Sequence, residues 1–178
     1  RRTSIGVVNY ELPDRAPGYT RAVNPPVALF VVGMGRSGSS ALARTLAMCG
    51  AASPPALLDP TSDLGFFAPR PVIELNEAIL RAGGSSGYDP SLRLQEEGAF
   101  DSAARAYWIE RIRVYMGTLP AAPLVAIKEP KLSLLGGMWF EAAQLAGFDV
   151  VTAITVRHPG EVVQSLAKRA DGQRYVRN

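Results

Sequence analysis

The most restrictive feature of this chain is a junction. The continuous apolar run Val27-Ala28-Leu29-Phe30-Val31-Val32 passes directly into Gly33-Met34-Gly35-Arg36-Ser37-Gly38-Ser39-Ser40. A run that does not alternate fits a strand buried on both faces, as in a parallel sheet. Asn24-Pro25-Pro26 ends whatever precedes it. After the glycines, Ser39 to Met48 has the pattern of a helix that stops at Gly50, with Leu42, Thr45, Leu46 and Cys49 as its expected inner stripe. Buried strand, glycine turn and helix together aim backbone N–H groups and the positive end of a helix at an anion.

The alternation continues downstream. Helices are expected over 71–81, 99–116, 134–145 and 160–168, the first with Pro71 at its opening position and the last entered through Pro159. In the second, Ala103, Tyr107, Ile109 and Ile112 fall partly on one face. Strands are expected at Leu124–Ile127 and Val150–Val156, and residues 51–70, with four prolines, as loop. Residues 1–26 form an irregular leader with a short strand at Ile5–Val8, and residues 27–178 form an α/β domain with a mostly parallel sheet flanked by helices. The length of 178 residues suits one domain. With 47% hydrophobic and 20% charged residues, wholesale disorder is excluded. No apolar run approaches the roughly 20 residues a membrane span needs. The single cysteine, Cys49, permits no internal disulfide, and no apolar signal core follows Arg1-Arg2, so a reducing, cytoplasmic setting is expected. A net charge of +3 is too small to argue for a nucleic-acid partner without a clustered patch.

Three polar tracts fall just after the three expected strands, where open α/β sheets bind ligands. In the first, the GxxxxG spacing of Gly33 and Gly38 is that of a phosphate-binding loop. The position after Gly38, where nucleoside-triphosphate loops carry lysine, is Ser39, and Arg36 stands inside the loop instead. Gly33, Gly35 and Gly38 also fit GxGxxG, but no acidic residue ends a second strand about 20 residues on. In the second tract, Lys128 follows a buried strand, with Glu129 as a possible structural partner for Lys128 or Arg36. In the third, Arg157 ends a strand and Ser165 lies eight residues later, about two helical turns into the next helix; together they can grip one phosphate. The plainer alternatives are a glycine turn that binds nothing, a strand-end surface lysine, and an Arg157 that pairs with Glu161. His158 is the only histidine, so a zinc site is disfavoured, and no G-x-S-x-G elbow supports a serine hydrolase. Phosphoryl transfer and non-catalytic anion binding stay open from the residues alone.

Arg36-Ser37-Gly38-Ser39-Ser40 resembles the 5′-phosphosulfate loop of sulfotransferases that use 3′-phosphoadenosine 5′-phosphosulfate (PAPS). Lys128-Glu129-Pro130 resembles the Lys-Asp-Pro segment of bacterial sulfotransferases related to the tyrosylprotein sulfotransferases, and Arg157 with Ser165 resembles their 3′-phosphate pair. Gly65-Phe66-Phe67-Ala68-Pro69-Arg70 is similar to their Gly-aromatic-x-Glu-Pro-Arg stretch. The resemblance covers residues 33–165. It implies a P-loop nucleotide-binding fold that continues past residue 178, and transfer of a sulfuryl group from PAPS to a hydroxyl or amine of a small-molecule, lipid, carbohydrate or peptide acceptor. Adenosine 3′,5′-bisphosphate would be the product. Gly35, Arg36, Ser37, Gly38, Ser39, Ser40, Arg157 and Ser165 would bind the nucleotide. Arg36 and Lys128 would stabilise charge on the transferred group in place of a metal. The family's base position is Ala68 here; Asp63 and Glu74 are the nearest carboxylates in sequence.

Overall fold

The computed structural model describes residues 4–9, 24–55, 57–58, 67–87, 89 and 100–175. In chain order its elements are β1 (Ser4–Asn9), β2 (Val27–Val32), α1 (Ser39–Met48), β3 (Leu57–Leu58), β4 (Ala68–Pro69), α2 (Arg70–Ala82), α3 (Ser102–Met116), β5 (Leu124–Lys128), α4 (Leu132–Leu145), β6 (Asp149–Val156) and α5 (Pro159–Tyr175).

The apolar run of β2 is buried because it lies between two parallel neighbours, β5 and β6, in a four-stranded sheet of order β1-β6-β2-β5. β1 closes the far edge of β6, antiparallel, from Ser4 opposite Val156 to Asn9 opposite Val151. The strand expected at Ile5–Val8 thus belongs to the sheet, although it comes from the leader. On the other side, Ala52 extends β5 by a parallel bridge to Val125, its N–H bonding Leu124 O and its carbonyl taking the Ala126 N–H. From β2 the chain reaches β5 on one side, then crosses through α4 to β6 on the other. The winding therefore reverses at β2, and in open α/β sheets such a reversal opens a crevice beyond the carboxyl ends of the strands.

Register decides the faces. Ala28, Phe30 and Val32 of β2 share one core with Val125 and Ile127 of β5 and Val150 of β6. Val72, Ile79 and Leu80 of α2, Ile109, Ile112 and Met116 of α3, and Leu132, Leu135 and Trp139 of α4 complete it. Trp139 is fully buried and meets Phe30 and Tyr115 edge-on, at centroid distances of 6.3 and 5.9 Å. Arg105 of α3 pairs with Glu141 of α4 at 2.5 Å and ties those two helices at the surface. Lys128 is in register with Val31 and Ala153, so it leaves the sheet on the face opposite this core.

Three local expectations are corrected. The buried stripe of α1 centres on Ser39 and Ala43, with Leu42 and Leu46 partly covered, while Thr45 and Cys49 face solvent. Small residues lie closest to the sheet there, and the Thr45 hydroxyl bonds back to Ala41 O. In α3, Ala103 and Tyr107 are exposed; Ile112 and Met116 hold the core face, and Tyr107 instead accepts a bond from Arg111. α5 runs to Tyr175, through Gly172, because one glycine inside a helix costs only about 1 kcal/mol. Among the described residues no helix is long and apolar enough to cross a membrane.

Candidate functional site

The loop between β2 and α1 is shaped by two backbone constraints. Gly33 has φ +139° and packs so closely on β6 that an added Cβ would lie 2.4 Å from Thr155 Oγ1 and 2.5 Å from Thr155 O. Gly38, at φ +100°, caps α1 with no side-chain bond to the first-turn amides. Arg36 also adopts the left-handed region, at φ +69°, alone in this among the described non-glycine residues. Side chains rarely adopt that conformation, and such positions concentrate at ligand sites.

Hydroxyls fasten this loop to the sheet. Ser37 and Thr155 meet at 2.7 Å, and Thr155 Oγ1 donates to Val32 O at 3.1 Å. Since Thr155 has one hydroxyl proton and gives it to Val32, Ser37 must be the donor in the first bond. The Ser37 N–H closes a turn onto Met34 O, and Gly33 N–H donates to Ser133 Oγ at the start of α4. The described bonds of Ser37 therefore go to the protein itself.

The basic residues of the three tracts come together around this loop. Arg36 Nε donates to Ser165 Oγ of α5 at 3.0 Å. Arg157 places Nη1 on Arg36 O at 3.2 Å and Nε on Glu161 at 2.8 Å, so the Glu161 pairing and the loop contact coexist. Lys128 is only 7% exposed, and among the described residues its ammonium has no hydrogen-bond or ion-pair partner. Burial holds its pKa below the ordinary lysine value; the charge of Glu129 opposes this, and the positive charges of Arg36 and Lys131 add to it. Arg36 is thus close enough to Lys128 to be felt electrostatically. Ser39 is buried, whereas Gly35 and Ser40 are partly exposed along the same loop and helix start.

Glu129 does not bond to Lys128 or Arg36, contrary to the partnership expected for it. Its carboxylate, 2% exposed, turns to the core face. There it accepts from Asn76 Nδ2 at 2.6 Å, from the Lys131 N–H at 2.9 Å and from Lys131 Nζ at 3.2 Å. Asn76 Oδ1 in turn accepts from Trp139 Nε1 at 2.7 Å.

Of the carboxylates near the expected base position, Asp63 lies outside the described residues. Glu74 is exposed on the outer face of α2, paired with Arg70 at 2.8 Å. No described contact joins it to the loop, to Lys128 or to Arg157. Ala68 is buried in β4, opposite Leu58. Asn76, Ser133 and Thr155 were not among the expected site residues. Asn76 had a signal: it is the one polar residue on the stripe Val72, Asn76, Ile79, Leu80. Thr155 had a weaker one, as a polar residue near the end of an apolar strand. Ser133 had none.

Among the described residues no group of three or more His, Cys, Asp or Glu side chains is placed to hold a metal ion. Comparison with protein-family models, with curated proteins and with solved structures finds no match to this chain.

Proposed function

We propose that the chain is a PAPS-dependent sulfotransferase built on a P-loop-type site. The observation that supports this most is the meeting of Arg36, Lys128, Arg157 and Ser165 around one glycine loop, at the carboxyl ends of three adjacent parallel strands. The residues suit such a nucleotide. The loop is too tight at Gly33 for any side chain, the first-turn amides of α1 have no side-chain cap, and Lys128 offers a buried ammonium with no partner among the described residues. Amides of Gly35, Arg36, Gly38, Ser39 and Ser40 and the Arg36 fork would take the 5′-phosphosulfate, with Ser37 bracing the loop through Met34 and Thr155, and Arg157 with Ser165 would take the 3′-phosphate. In the transfer, the oxygen or nitrogen of an acceptor hydroxyl or amine bonds to sulfur, the bridging S–O bond breaks, adenosine 3′,5′-bisphosphate leaves with the electron pair, and the proton lost by the acceptor passes to solvent water. Arg36 and Lys128 would stabilise the negative charge that builds on the leaving phosphate.

Ala68 favours a second reading, a module that binds the nucleotide without transferring sulfate, because an apolar residue fills the position where the family carries its base. A kinase-type phosphotransferase is less well supported, since Ser39 replaces the loop lysine and Lys128 and Arg157 occupy strand ends where an acidic magnesium ligand would serve.

Thermal unfolding with adenosine 3′,5′-bisphosphate, and separately with ATP and Mg²⁺, distinguishes these. At 100 times its dissociation constant a ligand adds about 2.7 kcal/mol. Stabilisation by the bisphosphate alone is expected; stabilisation by Mg-ATP alone would overturn the proposal in favour of phosphoryl transfer. Transfer of labelled sulfate by the Ala68→Glu variant, absent in the parent chain, would favour a sulfotransferase site that lacks only its base over a module built solely to bind.

A further inference from the structure

The crest of the glycine loop has little packing to hold it. Met34 is 63% exposed, and a Cβ added at Gly35 would touch nothing within 4 Å. Yet the next residue, Arg36, keeps the left-handed conformation that side chains avoid. Two bonds from across the chain hold it, one at its carbonyl and one at its side chain. Arg157 Nη1, just past β6, donates to Arg36 O at 3.2 Å, and Arg36 Nε donates to Ser165 Oγ of α5 at 3.0 Å. Arg157 is itself fixed through Nε, which donates to Glu161 at 2.8 Å.

The chemistry of the second bond gives Ser165 two tasks. A guanidinium carries donors only, so Ser165 Oγ must be the acceptor toward Arg36. The hydroxyl keeps its own proton to donate to a second acceptor, such as a phosphate oxygen. One side chain can therefore hold the loop and face an anion at the same time.

We propose that Ser165 is a positioning residue for the glycine loop. Acting through Arg36, it keeps the loop in the conformation that receives an anion, beside the 3′-phosphate contact already given to it. The loop and α5 then work as one unit, and an anion that touches only the loop still depends on Ser165. This rests on the proposed function only in taking the glycine loop as the anion site.

The first test needs no ligand. Ser37 N–H closes the loop's own turn onto Met34 O, so its hydrogen exchange, followed by NMR, reports whether the loop stays closed. Alanine is the best helix former, so Ser165→Ala leaves α5 intact. In that variant Ser37 exchange is expected to rise about threefold or more, the effect of one lost hydrogen bond, while Phe30 in the middle of β2 exchanges as before. Ser165→Thr keeps the hydroxyl and should restore the wild-type rate. In an Arg36→Gly background, where the bond is already gone and glycine accepts the left-handed backbone, Ser165→Ala should add nothing. Unchanged Ser37 exchange in Ser165→Ala, or an equal rise at Phe30, would overturn the proposal.

The second test is calorimetric titration with adenosine 5′-monophosphate, which has no 3′-phosphate. Ser165→Ala is expected to bind it about threefold or more weakly than the wild type does. An unchanged affinity for the monophosphate, with the loss confined to adenosine 3′,5′-bisphosphate, would make Ser165 a 3′-phosphate ligand only and overturn the proposal. A wild type that bound neither nucleotide, with Ser37 exchange shifted as expected, would count against the sulfotransferase assignment and not against the hold of Ser165 on the loop.

Discussion

At Gly33 the space for a single methyl group decides whether the loop can close on β6. A Cβ there meets both the hydroxyl and the carbonyl of Thr155, and the carbonyl cannot swing aside because it belongs to a paired strand. Gly33→Ala is therefore expected to lower stability by about 2 kcal/mol or more in urea denaturation, from backbone strain and displacement together. Lys128 carries the opposite balance. Its ammonium is held among protein groups at a desolvation cost and has no described partner in return. Lys128→Met should then raise stability at neutral pH by on the order of 1 kcal/mol while weakening anion binding. The pH dependence has a definite sign. The folded pKa lies below the unfolded one, so between the two the unfolded chain binds more protons and stability climbs with pH. The advantage of Lys128→Met should shrink as pH rises through that window. An advantage that stayed constant in denaturation curves up to the ordinary lysine range would contradict it.

Between elements, small hydroxyls carry the contacts that hold the loop. Thr155 links β6 to Val32 of β2 and to Ser37 of the loop, both within buried surroundings. Thr155→Val keeps the shape and removes both bonds, so a loss of about 1–3 kcal/mol is expected, measured by thermal or urea unfolding. Most elements were legible from local pattern: the unbroken apolar run of β2, the glycines after it, and the helical periods of α2 and α4. The strand-end placement of Lys128 and Arg157 followed from the same pattern. What local pattern does not hold is pairing across the chain. Arg36 meets Ser165 from 129 residues away, and Asn76 meets Glu129 from 53. The first contact depends on the crossover of α4, which brings β6, and α5 after it, back beside β2 and its loop; the second depends on how α2 packs at the end of β5. The stripe expected on α1 failed for a related reason. Close helix–sheet packing selects small residues such as Ala43 over larger ones, and hydrophobicity alone does not rank them.

For the molecule as a whole, β1 does two things: it completes the sheet and covers the outer edge of β6. Near the paired end of β6, Ile154 and Val156 are already 37% and 56% exposed. Deleting residues 1–9 would free a strand edge beside this apolar surface, and greater self-association than in the parent chain is expected by light scattering. On the proposed function, the reversal of winding at β2 collects basic groups from separate strands into one site with two cationic grips for a doubly anionic nucleotide. Calorimetric titration of the wild-type chain and of Arg157→Ala, with adenosine 3′,5′-bisphosphate and with adenosine 5′-monophosphate, tests it most directly. The wild type is expected to prefer the bisphosphate, and Arg157→Ala to lose about tenfold or more of that preference, roughly 1.4 kcal/mol. Equal affinity of the wild type for the two nucleotides, or an undiminished preference in Arg157→Ala, would contradict it.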